Sequence, residues 1–211
     1  MIHPNTELQF ISDEIGLGVV ATAPIPAGTI TWALDELDRV FTPDEIASFK
    51  PICLDIIDTY TFRDRNGNFI LCWDNGKYVN HSFKSNCMTT AYDFEIAIRD
   101  IVPGEQLTDD YGYLNLTEPF EGIDEGTERK VAYPDDLVHY HKMWDKQLNN
   151  VFGLIPGLDQ PLKQLISEKL WNTVVAVAGG KKEMESILEN YYPDDDNKTR
   201  STKTGYDQKK E

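Results

Sequence analysis

The sequence predicts a mainly β fold, with short strands in several small sheets, followed by a C-terminal helical region. Up to about Asn115, short runs of β-branched and aromatic residues alternate with turns rich in glycine and proline, a pattern typical of a compact β domain. After about Thr117 the apolar residues recur at steps of three and four, which is the period of amphipathic helices. The change of period marks the boundary between the two parts.

These patterns divide the chain of 211 residues into three regions. Residues 1–117 form the strand-rich domain. Residues 118–193 form the helical region, which begins with an acidic loop that contains glycine. Residues 194–211 are polar and charged without periodicity, and they are predicted to be a disordered tail. A hydrophobic content of 40% is sufficient for a packed core.

Local signals place the elements of the first region. Thr42 and Glu45 have the form of a capping box, and Pro43 takes the first helical position, which predicts a short helix over residues 43–50. Asn66-Gly67 tolerates the positive φ angles of a tight turn and predicts a hairpin. The strands of that hairpin are residues 60–62 and 69–73, and the other predicted strands are residues 18–23, 29–34, 94–99 and 106–111.

Three helices are predicted in the second region. The first begins near Pro134 and ends at Gly153, with apolar residues on one face and acidic residues in its first turn. The second is expected over residues 161–178, ending at Gly179-Gly180. The third is expected over residues 181–192, where Pro193 stops it.

The formal net charge of −16 restricts the kinds of partner. Nucleic-acid binding depends largely on cations that contact phosphates, so direct nucleic-acid binding is not expected. An acidic surface attracts a basic protein or peptide; solubility alone is an equally good explanation of the charge.

The N-terminal residues lack the pattern of a signal peptide, and the apolar stretches are far shorter than a membrane span. We therefore expect no membrane association and an intracellular location, cytoplasmic or nuclear.

No metal site is predicted. The three cysteines are widely spaced and form no Cys-x-x-Cys pair, so buried free thiols are expected. His139 and His141 are two residues apart and would point to different sides of a helix. Asp194, Asp195 and Asp196 lack the glycine and the closing glutamate of a calcium-binding loop.

Three segments of the first region carry the functional prediction together. Glycines let a main chain approach a ligand closely, while asparagine, histidine and tyrosine supply hydrogen-bonding groups. Each segment alone is explained equally well as a turn or as strand packing. The segments are Gly16-Leu17-Gly18, followed by Ile25-Pro26-Ala27-Gly28; Asn80-His81-Ser82 within residues 77–87; and Asp109-Asp110-Tyr111-Gly112, preceded by Gly104-Glu105-Gln106-Leu107-Thr108.

In this order and at this spacing, the segments resemble the SET family of protein lysine methyltransferases over roughly residues 10 to 115. The resemblance implies the SET fold, in which the Asn80 segment forms half of a pseudoknot. It implies transfer of a methyl group from S-adenosylmethionine to a lysine side chain of a protein. It also implies that the hydroxyl of Tyr111 is catalytic and that the cofactor is bound by Gly16, Leu17, Gly18, Asn80, His81 and Tyr111.

Two more tyrosines and one acidic residue are placed near the catalytic centre by their positions. Tyr60 and Tyr113 are predicted to assist Tyr111 as channel walls, with half-buried strand packing as the alternative. Asp109 stands where the family usually has an aromatic residue. A carboxylate facing the channel would favour the protonated amine and oppose attack; alternatively it points to solvent or recognises another cation.

The channel must also be closed from the C-terminal side. No cysteine cluster follows Tyr111, so the zinc-binding element found after many SET domains is missing. The resemblance therefore implies that the helical region closes the substrate channel, with Trp144 or Phe152 contributing an aromatic surface. Plain helix packing is the alternative explanation for both side chains.

The leading interpretation is thus a methyltransferase that acts on a basic protein or peptide, for which a histone tail is one candidate. A second interpretation is a catalytically silent SET-like module that binds the cofactor or a basic peptide, and Asp109 is the residue that favours it. A third is an acidic interaction protein whose function lies in residues 118–193.

Overall fold

The structure, a computed structural model, describes residues 1–193. The predicted disordered tail and the aspartates at 194–196 lie outside the described residues. Short strands dominate the first half, as predicted. They are β1 Thr6–Ser12, β2 Gly16–Ala21, β3 Ile30–Ala33, β4 Arg39–Phe41, β5 Thr61–Arg63, β6 Phe69–Leu71, β7 Asn80–His81, β8 Cys87–Thr89, β9 Phe94–Ala97, β10 Thr108–Asp109, β11 Phe120–Glu121 and β12 Val131–Ala132.

Within the described residues these strands form five small sheets. β1 pairs with β2, and β11 pairs with β12; the two three-stranded sheets have the orders β3-β9-β8 and β4-β6-β5. The hairpin predicted around Asn66-Gly67 is confirmed: Phe62 lies opposite Ile70, and Gly67 has a φ angle of 79°. Glycine takes this left-handed conformation without steric cost.

The remaining sheet joins the second and third sequence segments. β7 and β10 run parallel, with Asn80 opposite Thr108 and His81 opposite Asp109. The buried side chain of Asn86 fixes the crossing, because its Nδ2 donates to the carbonyl of Gln106 (2.8 Å) and its Oδ1 accepts from the amide of Thr108 (2.9 Å). The two segments therefore lie side by side, which is the arrangement that the expected pseudoknot requires.

Four helices complete the described part of the chain: α1 Pro43–Ala47, α2 Pro51–Tyr60, α3 Asp136–Phe152 and α4 Glu168–Ala178. The capping box of α1 is confirmed, since Thr42 accepts from the amide of Glu45 while Glu45 accepts from the amide of Thr42. α3 has the predicted extent and ends before Gly153. α2 has no counterpart among the predicted helices, and its apolar residues are mostly exposed.

Two helix predictions in the second region are corrected. The second helix begins at Glu168 instead of residue 161, because Ser167 caps it by accepting from the amide of Leu170. The third predicted helix is absent: within residues 181–192 only Ile187–Asn190 form a 3-10 turn. There the carboxylate of Asp145 in α3 accepts from the hydroxyl of Ser186 and the amide of Ile187. These tertiary hydrogen bonds outweigh the helix propensity of a short segment.

The strand domain and the helical region share one hydrophobic core. Ile30 and Phe94 of the sheet β3-β9-β8 pack in the same buried cluster as Trp144 of α3 and Val174 of α4. The side chain of Gln160 connects the regions further, since its Oε1 accepts from the amide of Ile30 at 2.8 Å. The helices therefore support the strand domain from one side.

Candidate active site

A cavity of about 770 Å³ lies where the three sequence segments meet. Residues from β2, α2, β7 and β10 contribute to its wall. Of the predicted site residues, the structure brings seven to the cavity: Gly16, Leu17, Tyr60, Asn80, His81, Asp109 and Tyr111. The other four, Gly18, Tyr113, Trp144 and Phe152, do not line it.

Gly18 lies directly behind the cavity wall. The side chain of Asn80 donates to the carbonyl of Leu17 (2.9 Å) and to Oε1 of Gln106 (2.6 Å). A Cβ atom at Gly18 would lie 2.2 Å from that Oε1 and 2.8 Å from Nδ2 of Asn80. A side chain at this position would therefore displace the hydrogen bonds that hold Asn80, which is the physical reason for glycine here.

His81 is held as a neutral ring. Its Nδ1 accepts a hydrogen bond from the amide of Tyr111 at 3.1 Å, so the ring proton is on Nε2. Burial lowers the pKa of His81 because a charged imidazolium is poorly solvated there. Nε2 is buried and has no hydrogen-bond partner within residues 1–193. An unsatisfied buried donor at a cavity wall is a natural contact for a ligand acceptor.

Tyr111 is oriented by its local turn. It opens the 3-10 turn Tyr111–Tyr113, which Asp110 caps by accepting from the amide of Gly112 at 3.0 Å. The hydroxyl of Tyr111 donates to the carbonyl of Val79 at 2.9 Å. Burial, assisted by the nearby carboxylate of Asp109, raises the pKa of Tyr111. The hydroxyl therefore stays protonated in the pH range of cells.

Asp109 does not point to solvent. It is 4% exposed, lines the cavity, and accepts from the hydroxyl of Tyr113 at 2.8 Å. Tyr113 is itself buried beneath the wall, where its ring packs against Trp144 with centroids 5.4 Å apart. The prediction that Tyr113 is a channel wall is therefore corrected: this tyrosine supports Asp109 from behind.

A second carboxylate, which sequence analysis missed, contacts Asp109. Glu95 in β9 is 9% exposed, lines the cavity, and forms a hydrogen bond to Asp109. Burial, and then the neighbouring carboxylate, raise the pKa of Glu95 well above its usual value; burial raises the pKa of Asp109 to about 6. The available signal was a glutamate inside the otherwise apolar strand β9.

Aromatic side chains form much of the remaining wall. Trp32 and Phe62 meet edge to face with ring centroids 5.7 Å apart, and Tyr60 meets Tyr78 in the same way at 5.4 Å. All four line the cavity. Electron-rich ring faces attract cations, so this lining suits a positively charged group.

Trp144 and Phe152, the residues of the helical region that were predicted to close the channel, do not line the cavity. Trp144 and Phe152 are buried in the shared core, where they pack against Tyr113 and Tyr92 respectively. Their helix is amphipathic and its apolar face packs on the sheet, which agrees with the alternative of plain helix packing. The part of the same region that covers the cavity is the acidic loop, in which Phe120, Glu121, Gly122 and Ile123 line the cavity.

This closing loop is fixed at two points. The ring centroid of Phe120 lies 5.2 Å from those of His81 and Tyr111. The carboxylate of Glu125 accepts from the hydroxyl of Ser82 (2.7 Å) and the amide of Phe83 (2.8 Å). An aromatic residue and a glycine within an acidic loop were the sequence signals that could have identified it.

Arg129, at the end of the same loop, connects the site to α3. Its guanidinium forms ion pairs with Asp110 and with Asp136. It also lies over the rings of Phe83 and Tyr140, 4.8 Å and 4.5 Å from their centroids. Because Asp110 caps the turn that begins at Tyr111, this buried cation fixes the backbone that carries the hydroxyl.

Two further features of the described residues bear on the kind of site. No group of three or more histidine, cysteine, aspartate or glutamate side chains within residues 1–193 is arranged to hold a metal ion. Over the same residues, no helix has both the length and the apolar content that crossing a membrane requires.

Sequence comparison agrees with this geometry, since residues 16–112 match the SET domain family. Residues 16–112 of this chain are a SET domain, and the chain has short strands in several small sheets and helices in its C-terminal region. Among solved structures it is similar to a Plasmodium falciparum protein that is provisionally named a histone methyltransferase. That match has 17% identity and a TM-score of 0.39, and it covers 52% of this chain and 95% of the other. A search of curated proteins gave no match.

Proposed function

We propose that this protein transfers a methyl group from S-adenosylmethionine to the side-chain amine of a lysine in a protein. One observation carries the proposal: the three sequence segments meet at a single cavity, which Asn80 lines and where the ring of Tyr111 lies beside that of His81. The SET domain and the tyrosine in the cavity wall together favour an enzyme over an interaction protein whose function lies in the helical region.

The residues present fit S-adenosylmethionine. The cavity volume of about 770 Å³ lies within the range of roughly 300–1,000 Å³ that is usual for small-molecule sites. Nε2 of His81 is an unsatisfied donor at the wall, and Gly16 has open space where a Cβ would lie. When bound, the cofactor supplies a methyl group on a positively charged sulfur, which is an electrophile that requires no metal.

The chain itself contributes alignment and a dry environment. A lysine amine has an ordinary pKa of about 10.4, so it must lose a proton before its nitrogen can attack. The hydroxyl of Tyr111, held by the carbonyl of Val79, can hold that nitrogen in one orientation. Alignment of this kind supplies much of the acceleration of a two-substrate reaction. Backbone carbonyls such as that of Val79 also attract polarised C–H groups weakly.

The substrate class follows from charge. The net charge of −16 and a cavity whose lining includes aromatic rings and two buried carboxylates both favour a cationic side chain carried by a basic protein. A histone tail meets this requirement, as do other basic proteins in the cytoplasm or nucleus. The most direct test is transfer of a labelled methyl group into histones and into a mixture of basic proteins.

The outcomes separate the candidate functions. Label in a lysine residue of any protein of the mixture supports the methyltransferase. Cofactor binding by calorimetry without transfer into any basic protein supports the silent SET-like module, which the acidic residue at position 109 favours. Absence of cofactor binding contradicts both.

Replacement of Gly18 by alanine tests the support of Asn80. We expect the Kd for S-adenosylmethionine to rise by at least about tenfold, which corresponds to about 1.4 kcal/mol, because the new methyl group occupies the place of the hydrogen bonds to Gln106. Calorimetric titration measures the change. Gly157→Ala is the matched control, since a Cβ atom at Gly157 meets nothing within 4 Å. Equal affinities of the two variants would contradict this role of Gly18.

Replacement of Phe120 by alanine tests the closing loop. We expect the Kd for the cofactor to rise by about tenfold, since loss of the ring uncovers His81 and Tyr111 and removes aromatic contacts worth about 0.5–1.5 kcal/mol each. The control is Phe10→Ala, because Phe10 is exposed on β1 and does not line the cavity. If both variants bind the cofactor as the parent protein does, the loop does not close the site.

A further inference from the structure

Two buried carboxylates contact each other in the cavity wall. Glu95 of β9 and Asp109 of β10 are in hydrogen-bond contact. Within residues 1–193, neither carboxylate forms an ion pair with a lysine or arginine side chain. Two touching carboxylates in a site shielded from water do not both ionise, because their charges repel each other at low dielectric. The pair therefore holds one proton and one negative charge.

The surrounding hydrogen bonds indicate which member carries the charge. The hydroxyl of Tyr113 donates to Oδ1 of Asp109, and the hydrogen bond with Glu95 favours the ionised form of Asp109 while it raises the pKa of Glu95. Near neutral pH, Glu95 is thus the acid and Asp109 the carboxylate.

The other titratable groups that act on the pair are Asp110, Tyr111, Cys72, Cys87 and the amino group of Met1. Burial raises the pKa of both thiols, so they remain neutral.

An independent observation points to a ligand at this place. Trp32 lies opposite Glu95 in the pairing of β3 with β9, is only 6% exposed, and lines the cavity. Its indole Nε1 has no hydrogen-bond partner within the described part of the chain. The unpaired indole N–H is a donor for an acceptor atom of a ligand. The buried negative charge and the rings of Trp32 and Phe62 together form an environment that a cationic group completes.

On the basis of the proposed function, we propose that Asp109 is the proton acceptor for the target lysine, with Glu95 and Tyr113 as positioning residues. The ammonium enters charged and pairs with the carboxylate. One N–H bond then breaks, its electron pair stays on nitrogen, and the proton forms an O–H bond on Asp109. The neutral nitrogen forms the new N–C bond while the C–S bond breaks and its electrons remain on sulfur. Asp109 releases its proton to water after the products leave.

The test is the pH dependence of kcat/KM for Asp109→Asn against the parent protein, with the basic protein that accepts the label as substrate. The parent should lose activity as the pH falls through about 6 and remain near its maximum above that. Asparagine keeps the size of the side chain and an acceptor for Tyr113, but it cannot take a proton. We expect kcat/KM at pH 7 to fall about 100-fold and then to rise about tenfold per pH unit toward the amine pKa of about 10.4.

Two further variants keep the result interpretable. Glu95→Gln retains a donor to Asp109, so its rate should still fall at low pH and should not show the rising profile of Asp109→Asn, whatever its maximal rate. Asp55→Asn on the exposed face of α2 should match the parent throughout. If Asp109→Asn shows a parent-like rate and pH profile, or if it raises only KM without a new pH dependence, the proton-acceptor role is overturned while the methyltransferase stands. If the parent protein transfers no methyl group to any basic protein, both proposals fail.

Discussion

Replacement of Tyr111 by phenylalanine is expected to lower kcat for methyl transfer by about 100- to 1,000-fold, the usual effect of removing one well-placed hydrogen-bonding group at a reaction centre. The ring and its packing against Phe120 remain in this variant, and only the hydroxyl that donates to Val79 is lost. We therefore expect the Kd for S-adenosylmethionine to stay within about threefold of the parent value, since a hydroxyl that acts in the transition state contributes little to ground-state binding.

Rapid-quench measurement of a single turnover, with the enzyme in excess over the labelled cofactor, isolates the chemical step from product release. Tyr192→Phe is the matched control, because Tyr192 packs against Gly67 away from the cavity. If Tyr111→Phe retains kcat within about fivefold of the parent while Tyr192→Phe is unchanged, the hydroxyl is not the orienting group. In that case alignment must come from the backbone of β7 and β10.

The parts of the fold that were predictable depend on signals between near neighbours in the chain. The apolar spacing of α3 and its stop at Gly153 gave its boundaries to within two residues, and Asn66-Gly67 placed the hairpin. Residues 181–192 show the opposite case. Their local pattern favours a helix, but Asp145 and the hydroxyl of Tyr92 take the amides of Ile187 and Glu185, and a local pattern carries no information about partners so distant in sequence.

The residues of the candidate site also fall into those that sequence signals identify and those that only the folded structure brings to the cavity. Asn80, His81 and Tyr111 belong to segments with a recognisable order, so sequence analysis identified them and the structure brings them together. Glu95 and Phe120 reach the cavity only through strand pairing and loop packing. The sequence alone left open whether the side chain of Asp109 faces solvent or the channel. The answer depends on the residues that surround Asp109, and these residues come from three separate strands and a turn.

Trp144 shows why the closure of the channel was assigned to the wrong residues of the helical region. A tryptophan on an amphipathic helix can serve a core or a ligand site, and the spacing of its neighbours is identical in both cases. The deciding fact is that the ring of Trp144 packs against Tyr113 and under the guanidinium of Arg129 and does not line the cavity. Arg129 thereby joins the closing loop, the turn of Tyr111 and the core of α3.

Removal of this cation is the substitution from which we expect the largest loss of stability. The side chain of Arg129 is 14% exposed, and its partners Asp110 and Asp136 are almost completely buried. Arg129→Met keeps the bulk of the side chain over the aromatic rings but removes the cation that pairs with both carboxylates. Breaking a buried ion pair in this way costs about 3–5 kcal/mol, which for a chain of this size lowers Tm by about 10 °C.

Arg65→Met provides the comparison, because Arg65 and Asp93 form a partly exposed ion pair at 2.9 Å and such pairs contribute about 0–1 kcal/mol. Urea unfolding of both variants and of the double variant Arg129→Met/Asp136→Asn measures the difference. Neutralising Asp136 should recover part of the loss, since one uncompensated charge then remains instead of two. If Arg129→Met is no less stable than Arg65→Met, the backbone of the Tyr111 turn is held by its cap at Asp110 and by the β7–β10 pairing alone. The closing loop then contributes nothing to the rigidity of the site.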